Sequence, residues 1–102
     1  MNNKVLEEII KESVHMYCGV IPISVIQSRC NISRQEAYKE VHELLKEGYL
    51  KRNILYYENL EYDFKKYPPL KGYSITKKTK ETEMYKELLE IENKLLKEIF
   101  GV

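Results

Sequence analysis

The sequence predicts an α+β domain that is mostly helical, and three observations carry that expectation. Apolar residues recur at helical spacing in three long stretches. Two short β-prone runs sit together between the second and third stretches instead of alternating with helices, which argues for a small antiparallel sheet. At 102 residues, the chain makes one domain that buries roughly 60–65% of its unfolded surface, so a partner subunit would add to its stability.

From Lys4 to about Tyr17, Val5, Leu6, Ile9, Ile10, Val14 and Tyr17 repeat as one helical face, and Gly19 ends the run. Val20 to Ile23 (VIPI) is short, apolar and proline-bearing, which suits an edge strand or an extended connector. Ser24 is placed to cap a short helix through Cys30, with Ile26 and Cys30 four apart on its inner face. Asn31 follows as a left-handed stop. Ser33 and Glu36 then form a capping box, so a third helix starts at Arg34 and runs to about Glu47, with Gly48 as its stop. Two helices separated only by Asn31, Ile32 and Ser33 cannot be collinear, and the pattern is that of a helix-turn-helix.

On the third helix, at 100° per residue, Ala37, Val41, Leu44 and Gly48 make the core stripe. Gln35, Lys39, His42 and Lys46 lie opposite, flanked by Tyr38, while Glu36, Glu40, Glu43 and Glu47 collect on a third face. An outward stripe free of carboxylates and large aliphatics offers amide and imidazole groups to base edges and ammoniums to phosphates. The plainer alternative is a solvated helix that separates its charges into ladders.

Gly48 to Asn59 (GYLKRNILYYEN) and Gly72 to Thr76 (GYSIT) read as two antiparallel strands. Their connection, Leu60 to Lys71, exceeds the usual 2–5 residues of a hairpin loop. The chain carries 17 basic and 16 acidic residues, for a net charge of +1, but they are unevenly spread. Residues 33–80 hold eleven basic against seven acidic groups, and residues 81–102 three against six. Phe64 to Lys80 contains six lysines and no acid. Lysines interleaved with Phe64, Tyr67 and a diproline suit a loop lying along a phosphate backbone; alternatively, they only guard a sheet edge from aggregation.

This order of elements, with VIQSRCNISRQEAYKEVHELLKEGYLKR followed by GYSITKKTKE, resembles the winged helix-turn-helix transcription regulators of the MarR and PadR type. Ile26, Asn31, Ile32, Ser33, Leu44, Gly48, Tyr49, Leu50 and Arg52 match the family pattern, and the resemblance covers residues 4 to about 80. Gln27 stands where a small residue is usual, Asn31 replaces a glycine, and the wing loop is unusually long. The resemblance implies that the third helix enters the major groove while the wing rests on adjoining backbone. It assigns base reading to Gln35, Tyr38 and His42, phosphate contact to Ser33, Arg34 and Lys39, and anchoring of the wing to Arg52, Lys65 and Lys66. For Arg52 the competing role is an ion pair tying the strand to the third helix.

From about Lys77 to Phe100, one helix is expected. Met84, Leu88, Ile91, Leu95 and Ile99 make one apolar stripe, and Tyr85, Leu89, Leu96 and Phe100 a second beside it. The arc is wider than one core needs, so one face can pack on the first helix while the other meets a two-fold mate. The competing reading is a helix that only completes its own core. Residues 1–76 are thus expected to form the DNA-binding domain, with residues 77–102 a C-terminal dimerisation helix packed on it.

Charges inside the N-terminal segment and the lack of an apolar run of about 18 residues predict a cytoplasmic chain without a membrane segment. Cys18 and Cys30 are expected to be reduced. His15, Cys18, Cys30 and His42 do not converge in this reading, so neither a metal nor another cofactor is expected. Nothing resembles a nucleophile with a base, a phosphate-cradling loop or paired carboxylates, so no enzyme is expected. The expected activity is sequence-specific double-stranded DNA binding by a homodimer that represses transcription. The alternatives are a plasmid or phage partition protein that binds centromere repeats, and a protein-interaction adaptor that does not bind DNA.

Overall fold

The computed structural model describes residues 4–15, 19–55 and 69–101. Its elements are α1 (Lys4–His15), α2 (Ile23–Cys30), α3 (Arg34–Lys46), β1 (Leu50–Leu55), β2 (Leu70–Ile75), α4 (Lys77–Lys80) and α5 (Glu83–Phe100). The class is α+β and mostly helical, with one two-stranded antiparallel sheet. The continuation of the first helix to Tyr17, Cys18, and most of the long connection with Lys65 and Lys66 lie outside the described residues.

Helix α1 buries Val5, Leu6, Ile9, Ile10 and Val14 along one side. Helices α2 and α3 pack on it and on each other, contributing Ile26 and Cys30 from α2 and Ala37, Val41 and Leu44 from α3. Asn31 ends α2 at φ 54° and ψ 51°, with its N–H donating to the Gln27 carbonyl, which also accepts from Ile32. This left-handed residue turns the chain in one step. Ser33 Oγ then accepts from the Glu36 N–H at 3.1 Å, opening α3.

Pro22, not Ser24, precedes the first turn of α2. Its extended backbone places its carbonyl to accept from Val25 and Ile26 at 3.1 and 3.3 Å. A proline needs no N–H partner there, and the shift by two residues lets Ile23 pack against the core.

Strands β1 and β2 pair Leu50 with Ile75, Arg52 with Tyr73 and Leu55 with Leu70. The second strand therefore begins at Leu70, two residues before the expected Gly72. Ile21 joins the far side of β2: its N–H donates to the Tyr73 carbonyl at 2.7 Å and its carbonyl accepts from the Tyr73 N–H at 2.9 Å. Gly72 permits this approach, because a β-carbon there would lie 2.4 Å from the Ile21 carbonyl oxygen.

The expected single helix from Lys77 is two helices. Thr82 leaves the helical region, its hydroxyl donating to the Thr79 carbonyl at 2.6 Å and accepting from the Tyr85 N–H at 3.2 Å. It thus closes α4 and caps α5. Helix α4 is stitched to the end of α3. Thr76 Oγ1 donates to the Gly48 carbonyl at 2.6 Å, fully buried Thr79 donates to the Tyr49 carbonyl at 2.5 Å, and Lys78 Nζ donates to the Glu47 carbonyl at 2.7 Å. The Lys78 ammonium also sits 4.4 Å from the Tyr49 ring centroid. These groups satisfy the carbonyls of the turn that follows α3, from Glu47 to Tyr49.

Candidate nucleic-acid interface

The exposed side of α3 and one face of the hairpin form the walls of a cleft. Alternation along paired strands puts Arg52 and Tyr73 on the hairpin face shared with buried Leu50, while Lys51, Asn53 and Ser74 take the other face. A cleft of about 460 Å³ is lined by Gln35, Tyr38, Lys39 and His42 from α3 and by Arg52 and Tyr73 from the sheet. Tyr38, Arg52 and Tyr73 also border a neighbouring cleft of about 310 Å³ that reaches Lys71 and Ile23.

Five residues named by sequence reasoning, Gln35, Tyr38, Lys39, His42 and Arg52, therefore meet at one surface. All are exposed. The side chains of Gln35, Lys39, His42 and Arg52 make no hydrogen bond or ion pair with a described residue, so the ion pair weighed for Arg52 does not form among them. By contrast, Lys11 bridges Glu7 and Glu8, and Arg29 contacts Glu12.

Arg34 and Tyr38 are linked one turn apart: Arg34 Nη2 donates to Tyr38 Oη at 3.3 Å, and the guanidinium carbon lies 5.6 Å from the ring centroid. Ser33 is exposed, but its hydroxyl oxygen is engaged as the cap of α3, which leaves its proton for an outside acceptor. Glu43 also lines the cleft, so the outward side of α3 is not carboxylate-free as expected. Its position on the helix, 80° from Gln35, is near enough for the carboxylate to reach the rim. Lys78 is drawn away from the lysine-rich stretch into its structural role at the end of α3.

The nine residues assigned to the dimer interface divide along α5. Met84, Tyr85, Leu88 and Leu89, from its first two turns, pack against the chain's own core. Leu96 is half-buried. Ile91, Leu95, Ile99 and Phe100 are 54, 46, 70 and 70% exposed. His15, the last described residue of α1, meets Glu92 through Nδ1 and Oε1 at 3.2 Å, and Ile91 beside it borders a shallow cleft with Lys11, Val14 and His15. Beyond Glu92, Leu95, Ile99 and Phe100 stay exposed while Leu96 is partly covered.

Cys30 is buried, and burial pushes its thiol above the ordinary value, with Glu8 adding to the effect. His42 is on the exposed stripe of α3, so the two are in different surroundings. No described helix is long and apolar enough to cross a membrane. The chain matches no family model, no curated protein and no solved structure at a significant level.

Proposed function

We infer that this chain is a sequence-specific double-stranded DNA binder that acts as a homodimer in the cytoplasm and represses transcription. In this reading, the helices, hairpin and final helix form a winged helix-turn-helix, with α3 entering the major groove and the hairpin following the backbone. One observation carries it: Gln35, Lys39, His42 and Arg52 converge on an exposed cleft with no partner for their side-chain polar groups among the described residues. Desolvating such groups without a partner is costly, so a polar, anionic surface is their natural complement. Gln35 and His42 offer donors and acceptors to base edges, and Tyr38 adds an amphipathic ring tied to Arg34. Lys39 and Arg52 flank them as phosphate contacts.

The exposed apolar residues toward the end of α5 support the two-fold assembly. Burying Ile91, Leu95, Ile99 and Phe100 contributes about 1.5–3 kcal/mol per side chain before ordering costs. A dimer would present two α3 helices to half-sites about one helical turn apart.

The test is selection of duplexes from a random pool by the full chain, followed by titration of the selected duplex at increasing salt. An enriched motif with two-fold symmetry, and affinity that falls steeply with salt, is the expected result. No enrichment and no affinity at low salt would overturn the reading and favour a protein-binding adaptor.

A further inference from the structure

A second concave site lies on the opposite face of the hairpin, away from α3. It measures about 390 Å³ and is lined by Ser13 and Val14 of α1, Gly19, Lys51 and Asn53 of β1, Ser74 and Ile75 of β2, Lys80 of α4 and Tyr85 of α5. Its volume is at the low end of small-ligand pockets.

The chemistry of the wall is asymmetric. Lys51 and Lys80 come from separate elements, and both are exposed. Neither ammonium pairs with an acid among the described residues, and none of the described lining residues is acidic. Beside them, Asn53 Nδ2 donates to Ser74 Oγ at 3.0 Å, and Ser74, 7% exposed, donates in turn to the Gly19 carbonyl. This chain fixes the polar floor of the cleft and joins β1, β2 and Gly19 into one frame. Val14 and Tyr85 supply an apolar wall.

We propose that this cleft binds a small phosphate monoester with a ring-sized apolar substituent, the phosphate between Lys51 and Lys80 and the substituent against Val14 and Tyr85. Two ammoniums match the charge of −1.5 to −2 that a phosphomonoester carries at neutral pH better than the single charge of a carboxylate or phosphodiester. Separate elements hold the two cations, so a bound dianion bridges β1 to α4 and stabilises the folded chain by mass action. The site is independent of the α3 cleft and does not rest on DNA binding.

The experiment titrates the full chain with phenyl phosphate by calorimetry and by thermal melting, with inorganic phosphate and benzoate as comparators. Saturable binding of phenyl phosphate at 1:1 is expected, with a rising melting temperature and affinity at least tenfold above both comparators. The double variant Lys51→Met, Lys80→Met retains the aliphatic stems and should lose about tenfold or more of that affinity while melting normally without ligand. Equal binding of inorganic phosphate would overturn the role of the apolar wall, and unchanged affinity in the double variant would overturn the site. Displacement of phenyl phosphate by a DNA duplex would reassign the two lysines to a nucleic-acid backbone and overturn the small-molecule reading, whereas simultaneous binding supports it. No saturable binding in the millimolar range would also overturn it.

Discussion

Helices α3 and α5 both begin at a hydroxyl cap, Ser33 and Thr82, and both keep one side off the core. They differ in what that side offers. On α3 it carries Gln35, Lys39 and His42, with Tyr38 at its flank. Toward the end of α5 it carries Ile91, Leu95, Ile99 and Phe100. Amphipathicity alone therefore does not say what a free helix face is for. The α3 face keeps its hydrogen-bonding groups available and suits a polar partner, whereas the α5 face gains free energy only by losing water.

The largest expected effect breaks the apolar side of this contrast. Ile99→Glu with Phe100→Glu should weaken self-association on the order of a hundredfold or more, read by sedimentation equilibrium, since two large side chains leave the proposed contact and two charges enter it. The melting temperature of the monomer should barely move, because both positions are 70% exposed in the chain itself. A parallel loss of fold would show that this end of α5 serves the chain's own core.

Next comes the polar side. Lys39→Ala with Arg52→Ala should reduce DNA affinity on the order of 10–100-fold for every sequence and lower the salt slope by about two, one for each lost phosphate contact. Dimerisation should be unaffected. A smaller change separates reading from holding: Gln35→Ala should cost about 1–3 kcal/mol of discrimination at one base position, measured by competition between duplexes. Equal losses on specific and random duplexes would remove Gln35 from base recognition.

The smallest effect concerns the core that both helices share. Since burial raises the Cys30 thiol, the folded chain keeps this proton over a range in which the unfolded chain has lost it. Stability is then intact below the unfolded thiol's value and declines as pH rises through the folded one. Urea midpoints across alkaline pH should show this decline, and Cys30→Ala should remove that part of the pH dependence.

Much of this architecture was readable from local chemistry. Asn31, Ser33 and Gly48 act within a few residues of themselves, so the stop of α2 and the start and stop of α3 follow from side-chain type and backbone freedom. The convergence of Gln35, Tyr38, Lys39 and His42 follows from helical spacing alone. What escaped depends on distant partners. Pro22 displaces Ser24 as the cap because Ile23 gains core contact. Thr82 breaks the last helix where apolar periodicity runs straight through. Glu43 reaches the cleft because a long side chain blurs the angular sorting of faces. The site behind the hairpin had no sequence signal, since Ser13, Lys51, Ser74 and Lys80 meet only once the strands are paired. A threonine followed by glutamate at Thr82–Glu83 was the one local hint of the break that could have been used.

The hydroxyl and ammonium stitches from Thr76, Lys78 and Thr79 to the turn after α3 have a mechanical consequence. They leave little slack between α3 and the root of the terminal helix, so the two should move as one rigid bracket. In the proposed two-fold assembly, held by the exposed ends of α5, such a bracket would set the pitch between the paired α3 helices. Loosening Thr79 would blur that ruler without touching either contact surface.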